Sequence, residues 1–445
     1  LMIVGMVACA TNTDNNDQTD GSQDTTPATE NSDSSDDTNG NDGDVVTITY
    51  SYWGTPDEAA SVQAVADKFH EEYPNIKVEV MAIPNEEYVT KLNTMATAGE
   101  LPDCGIMNES GVLDFASDGL LYDISAMYEG ADSMPLDSIT FKSEGKPVAY
   151  SAANEVLSLY YNKDMFDAAG IEVPTEWSFE EFREIARKLT HGEGDSKVYG
   201  MFFNSQQDLL YPFNYFSVQT LGGDPLYHAD GTANVNDPVN VAAIELVNNM
   251  MNVDHTAPTH TDSVTQKLSQ EGMFITGKSA MTIGPWMVRS IKDRDNYPHD
   301  FKTAFAPYPT IDGVRTYTQG GYGDHLCINP KSKHIDAAWE FMKWYATEGM
   351  LPLTSGGRVP SANTYDSVEV TEYFLKGAED LLDAETAQNV LIVPASNHAV
   401  PSITTKLPEI NKVLTEELEN IYTGVKTVQQ GMDDAQARAE ALLAK

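Results

Sequence analysis

The stretch VVTITYSYWGTPDEAASVQAVADKFHEEYPNIKVEVMAI, residues 45–83, decides the fold class. Its first nine residues alternate and are rich in β-branched and aromatic side chains, the pattern of a strand. Thr55-Pro56-Asp57-Glu58 then reads as an N-cap, a proline at the first helical position and an acid three residues after the cap. Val62, Val65, Ala66, Phe69 and Tyr73 follow at helical spacing, and Pro74 ends the run. IKVEVMAI (76–83) is a second strand. A strand, a crossover helix and another strand imply a parallel sheet covered by helices.

The alternation continues outward. EEYVTKLNTMATAG (86–99) reads as a helix and CGIM (104–107) as a third strand. After YSAANEV the pattern restarts with strand LSLYYN (157–162) and the short helix KDMFDAAG. Ser178 with Glu181 signals another helix start, and Phe182, Ile185, Ala186 and Leu189 form its apolar face. VYGMFF (198–203) reads as a strand, and NDPVNVAAIELVNNMM opens a helix with Asp237-Pro238. HIDAAWEFMKWYAT (334–347) places Ile335, Ala338, Phe341, Met342 and Tyr345 on one face. The order is α/β throughout, with no alignable internal repeat, and 445 residues exceed one ordinary core.

Charge narrows the function classes. The chain has 27 Lys+Arg against 68 Asp+Glu, a net of −41. Ten of the acids and none of the bases fall in residues 1–44, which leaves a net of −31 in the remainder. Such a body is repelled by phosphate backbones, so nucleic acid is not an expected partner. Cys104 and Cys327 sit in short apolar runs and read as small buried hydrophobes. No Cys/His spacing suggests structural zinc, and no metal or cofactor is expected.

The segment LMIVGMVAC (1–9) is apolar but too short to span a bilayer, and reads as the tail of a secretory signal. Its end is similar to a bacterial lipobox, which makes Cys9 the expected site of acylation, with Met6 where leucine is usual. Residues 10–44, almost wholly Thr, Asn, Asp, Ser, Gln and Gly, suit an unfolded acidic tether.

In open α/β sheets ligands collect beyond the carboxyl ends of the strands. Trp53 lies at such an end, as does Asn108-Glu109 after CGIM. Trp286 follows SAMTI and a Gly284-Pro285 stop, where the chain must leave the sheet. An exposed indole there suits the apolar face of a sugar. Trp177, Trp339 and Trp344 fall in helical or pre-helical contexts and are expected in the core.

YWGTPDEAASVQAVADKFHEEYPNIKVEV, ANEVLSLYYNKDMFDAAGIEVP, SFEEFREIARKLT, GMFITGKSAMTIGPWMV and DAAWEFMKWYATEGM, in that order and spacing, resemble the extracellular solute-binding proteins of ABC importers. That large family includes the maltose-binding proteins. The resemblance spans 45–445 and implies two α/β lobes joined by crossing strands, with ligand held between them. It implies a first lobe of 45–154 plus 329–352 and a second of 155–328 plus 353–445. The crossings would fall near 154–157, near 323–328 and after the helix ending near Gly349.

The resemblance also implies ligand-binding positions. They are Trp53, Asn108 and Glu109 from the first lobe, Glu155 at the hinge in EVLSLYYN, and Trp286 in GPW. Tyr211 and Tyr215 in LYPFNYF, Tyr322 in GGYG, Arg358 and Asn397 beside His398 complete the set. It implies a monomer, lipid-anchored on the outer face of the cytoplasmic membrane, that captures a sugar or oligosaccharide and passes it to an ABC permease. The same module could take a polyamine, peptide or organic ion. A secreted glycan-active enzyme or a surface adhesin are the other classes. Catalytic signatures are lacking: HEEYP (70–74) has no second His of a zinc protease, GGYG is no dinucleotide fingerprint, and no G-x-S-x-G occurs.

Overall fold

The computed structural model describes residues 45–128, 140–143, 145–155, 157–284, 287–315, 321–362, 364–393 and 406–444, and the statements below concern these. Cys9, the 10–44 tether, Trp286, Asn397 and His398 lie outside the described residues.

The opening stretch folds as its sequence dictates. Strand β1 (Val46–Trp53) leads to helix α1 (Pro56–Glu72) and strand β2 (Ile76–Ile83), which pairs parallel to β1 from end to end. The Thr55 hydroxyl accepts from the Glu58 amide, and the Glu58 carboxylate accepts from the Thr55 amide, so both halves of the capping box form. Helix α2 (Tyr88–Ala98) and strand β3 (Cys104–Met107) follow, β3 parallel to β1, and helix α3 (Glu109–Ser117) leaves its end. The Ser178–Glu181 capping box and the Asp237 cap before Pro238 form as expected.

The remaining strands are β4 (Thr140–Ser143), β5 (Lys146–Glu155), β6 (Leu159–Asn162), β7 (Met281–Ile283), β8 (Thr303–Ala306), β9 (Gly321–Ile328) and β10 (Arg358–Pro360). They build two sheets. The larger has seven strands in the order β10-β5-β9-β3-β1-β2, with β4 alongside β5. The smaller has three, β7-β6-β8. The parallel pairing expected from the strand-helix-strand order is found among β1, β2 and β3. β5, β9 and β10 join the large sheet antiparallel, and both pairs in the small sheet are antiparallel.

Residues 321–328, where the resemblance implies a crossing near 323–328, pair in the large sheet, with β3 on one side and β5 on the other. One segment differs from its sequence reading: VYGMFF is not a strand. It makes only isolated bridges, among them Tyr199 to Ser279 and Phe202 to Thr282. The Gly200 amide between them is taken by the Thr190 hydroxyl at 2.9 Å, and Gly200 packs so tightly on Ala186 that a Cβ would sit 2.1 Å from its carbonyl oxygen.

Strand alternation divides the cores. On β1, Ile48, Tyr50 and Tyr52 are at most 1% exposed and pack with Phe69, Phe341 and Trp344 on one face of the large sheet. Cys327, Tyr88 and Leu92 pack on the other. Register sets Cys104 opposite Ile328 and Gly105 opposite Cys327, so the two cysteines face opposite sides of the sheet and both are free thiols. On β6, Leu159 and Tyr161 enter one core and Tyr160 another. Trp177, Trp339 and Trp344 are buried as expected, and the indole N–H groups of Trp177 and Trp344 donate to Pro307 O and Glu72 Oε2. Each large aromatic side chain buried this way contributes about 1.5–3 kcal/mol.

Candidate functional site

Two strand ends turn in the same way. Gly54 after β1 and Gly284 after β7 both have φ of 142°, a conformation that favours glycine. At each, a polar side chain occupies the space a Cβ would need: Glu58 Oε2 would lie 2.8 Å from it at Gly54, and Gln270 Nε2 2.6 Å at Gly284. The chain therefore leaves each sheet with its backbone held against a helical side chain. The residues that follow are delivered to the carboxyl edge of the strands.

Glu58 is the centre of a charged cluster at the first of these edges. Its Oε1 lies 3.1 Å from Arg289 Nη1 and 3.7 Å from Arg358 Nη1. Arg358 Nε donates to Asp324 Oδ2 at 2.9 Å, and its guanidinium lies over the Tyr52 ring at 5.5 Å. Arg289 Nε donates to Gly356 O at 2.9 Å. The four residues come from α1, the helix Met287–Lys292, β9 and β10. Asp324 reaches Arg358 from a left-handed backbone, φ 52°, which aspartate tolerates better than most residues.

The environment favours the charge on Glu58 and Arg358, while burial raises the Asp324 carboxyl against the pull of Arg358. Burial works against the Glu58 charge, but the Thr55 amide and the two guanidinium groups together hold its carboxyl below the ordinary value. Burial and the neighbouring Arg358 lower Arg289, with Glu58 opposing them. Burial also opposes the charge of Arg358, yet Asp324 beside it holds its proton on. Around the cluster lies a cavity of about 550 Å³, lined by Tyr52, Glu58, Arg289, Asp293, Ser355 and Arg358 among others.

A second cavity, of about 400 Å³, adjoins the first through Arg289. Its wall comes from the second strand-end turn, Ile283-Gly284, and from the segment 204–215. Tyr211 stacks on Phe203 at 5.3 Å and 12°, and Tyr215 on Tyr308 at 5.3 Å and 13°. Asn204, Gln207 and Asp208 add polar groups. The buried Tyr211 hydroxyl and Asn204 Oδ1 have no hydrogen-bond partner among the described residues. A buried polar atom left unpaired is costly, so both are suited to a ligand's hydroxyl groups.

Of the residues singled out in the sequence, the structure brings Tyr211, Tyr215 and Arg358 to these cavities. Trp53 packs edge-to-face on Tyr88 at 5.3 Å, and its neighbour Tyr52 lines the cavity in its place. Asn108 caps α3, accepting the Gly111 amide at 2.8 Å. Glu109, Glu155 and Tyr322 are described by backbone alone: Glu109 opens α3, Glu155 pairs with Arg358, and Tyr322 pairs with Asn154. Sequence reading missed Glu58 and Arg289 as cleft residues. The Thr55/Glu58 motif explained Glu58 fully as a cap, and Arg289, three residues past Trp286, carried no motif of its own.

Among the described residues no helix is long and apolar enough to cross a membrane. The sequence profile described as bacterial extracellular solute-binding protein matches residues 53–350. A putative binding protein of Brucella abortus is 24% identical over 400 residues, covering 86% of this chain and 90% of that protein. A sugar transporter from Rhizobium etli, solved in an open conformation, superposes with a TM-score of 0.74 at 22% identity, covering 89% of this chain and 100% of that one. The cyclic alpha-maltosyl-1,6-maltose binding protein from Arthrobacter globiformis gives 0.71 at 22% identity, covering 90% and 99%. The two sheets match the two-lobed architecture of these proteins.

Proposed function

We propose, since the chain belongs to the bacterial extracellular solute-binding protein family, that it captures a sugar or oligosaccharide between its lobes and delivers it to an ABC permease. The observation that carries this reading is the pair of adjoining cavities that meet at Arg289. One opens from each strand-end turn, and their volumes of about 400 and 550 Å³ suit a ligand of several polar rings. Tyr215, half-buried and stacked on Tyr308, offers a ring surface for the apolar face of a pyranose, and Tyr211 Oη and Asn204 Oδ1 offer hydrogen bonds to hydroxyl groups. Similarity to the Arthrobacter protein that binds a cyclic maltosyl-maltose favours an oligosaccharide.

In this reading β9 and β10 belong to the hinge, and ligand contacts from both lobes favour a closed state that excludes water. Trp286, Glu109, Glu155, Tyr322 and Asn397 are further ligand contacts. Acylated Cys9 tethers the protein, as a monomer, to the outer face of the membrane through residues 10–44. Mass analysis of the N-terminus from the native host should find lipid on Cys9, and an unmodified thiol would remove the anchor from the proposal.

The test of ligand class is a thermal-shift and calorimetric panel of mono- and oligosaccharides, a polyamine and short peptides. A ligand at a hundredfold excess over its dissociation constant adds about 2.7 kcal/mol of stability. Stabilisation by an oligosaccharide, without turnover, is expected. Stabilisation by the polyamine or a peptide alone would overturn the sugar reading.

A further inference from the structure

The charged cluster at the cavity junction has a consequence for what the site can accept. Two guanidinium groups, Arg289 and Arg358, line one cavity, and such a pair is a ready acceptor of phosphate or carboxylate. Each is already matched by a carboxylate of the chain itself. Asp324 is only 2% exposed, is joined to Arg358 at 2.9 Å, and is fixed in the sheet. Glu58 is different: its side chain is 27% exposed, it lines the cavity, and it stands 3.1 Å from Arg289.

We propose that Glu58 is a specificity-determining residue that occupies the anion-binding face of Arg289 and Arg358, so that the site selects uncharged solutes over anionic ones. The inference deepens the functional reading above, since it names the charge class of the ligand at the same cleft.

Two features make Glu58 fit for this role. Its carboxylate is oriented without any ligand, because Oε2 accepts the Thr55 amide at 2.9 Å while Oε1 faces the guanidinium groups. It sits in the first turn of α1, where the helix dipole favours a negative charge. An incoming anion would therefore have to displace a carboxylate held by its own helix, and would meet the Asp293 side chain on the same wall. A hydroxyl group meets no such repulsion and can accept or donate beside the ion pair.

The experiment uses inorganic phosphate as the probe, at constant ionic strength set with chloride, so it does not depend on knowing the sugar. Wild type, Glu58→Gln, Glu58→Asp and Glu58→Gln/Arg289→Gln are titrated by calorimetry, with thermal transitions in parallel. Glutamine keeps an acceptor for the Thr55 amide, so the helix cap survives and Glu58→Gln should fold. The expected result is no measurable phosphate binding by wild type or Glu58→Asp. Glu58→Gln should gain affinity by about tenfold or more, the scale of one charge-assisted hydrogen bond. The double variant should lose that gain. Phosphate binding by wild type, no gain in Glu58→Gln, or a gain that survives loss of Arg289 would each overturn the proposal. A panel in which no carbohydrate binds would instead overturn the functional reading and leave the phosphate result standing.

Discussion

Glu58 Oε1 lies 3.1 Å from Arg289 Nη1 while Oε2 of the same carboxylate accepts the Thr55 amide at 2.9 Å. One side chain thus closes the start of α1 and reaches a helix whose Met287, Val288 and Ile291 pack with Tyr160 and Phe305 of the small sheet. The ion pair is partly exposed, at 27% and 37%, so its own contribution to stability is small, and the cap should dominate. Glu58→Ala is expected to cost about 1–2 kcal/mol in urea denaturation. Glu58→Gln should cost less than half of that. Equal losses in the two variants would mean that the Glu58 half of the capping box contributes nothing.

The same pair spans elements of both sheets, so lobe opening should separate it. In the absence of ligand, Arg289→Gln is expected to shift the distance between spin labels on α1 and on the helix Pro238–Asn252 toward longer values. Raising salt should move the wild type in the same direction. A distance distribution unchanged by either would place the pair outside the closure equilibrium.

Tyr211 separates a ligand role from a packing role. Its ring is buried and stacked on Phe203, but its hydroxyl has no partner among the described residues. Tyr211→Phe should therefore leave ligand-free stability unchanged or slightly raised, because a buried unpaired polar atom is removed. Sugar affinity should fall by about 0.5–1.5 kcal/mol, the net value of one hydrogen bond. Calorimetric titration beside chemical denaturation reads both, and a stability loss with unchanged affinity would make the hydroxyl structural.

What the sequence revealed follows the range of the forces involved. The 45–83 unit was legible because its signals are local: alternation in β1, the Thr55/Glu58 box and Pro74 after α1. VYGMFF has strand composition, yet its ladder is interrupted by the Gly200 amide bonding to Thr190 and by contact with Ala186, neither of which composition records. The placement of β9 depends on partners in β3 and β5 that lie far away in sequence. Of the positions that the family likeness implied, Tyr211, Tyr215 and Arg358 line the two cavities of the candidate site. Glu58 was hidden because a second, local explanation already accounted for it.

Trp286 follows the turn at Gly284, and the cavity of about 400 Å³ begins at that turn. If it stacks on the sugar, Trp286→Ala should weaken binding by about 2 kcal/mol, as loss of an aromatic anchor does. That is about thirtyfold in dissociation constant. Ligand-free stability should fall by less than the ~3–5 kcal/mol typical of emptying a core tryptophan site. Near-normal affinity with a large stability loss would assign the indole to the core.

His325 gives the fold an acid limit independent of its carboxylates. It lies fully buried on β9, with Nδ1 2.8 Å from the Ser151 hydroxyl on β5. Burial pushes its imidazole down from 6.5 to about 3, so it stays neutral in the native state. The unfolded chain retains the ordinary value, and below about pH 6.5 it takes up a proton that the folded chain refuses. The stabilisation is therefore complete above pH 6.5 and is lost as pH falls toward 3, at about 1.4 kcal/mol per pH unit. Urea denaturation at pH 7, 5 and 4 should show a steeper loss for wild type than for His325→Gln, which has no proton to gain. The variant can be less stable at pH 7 without affecting the comparison, because the slope carries the result. Parallel slopes would show that His325 is protonated in the folded protein.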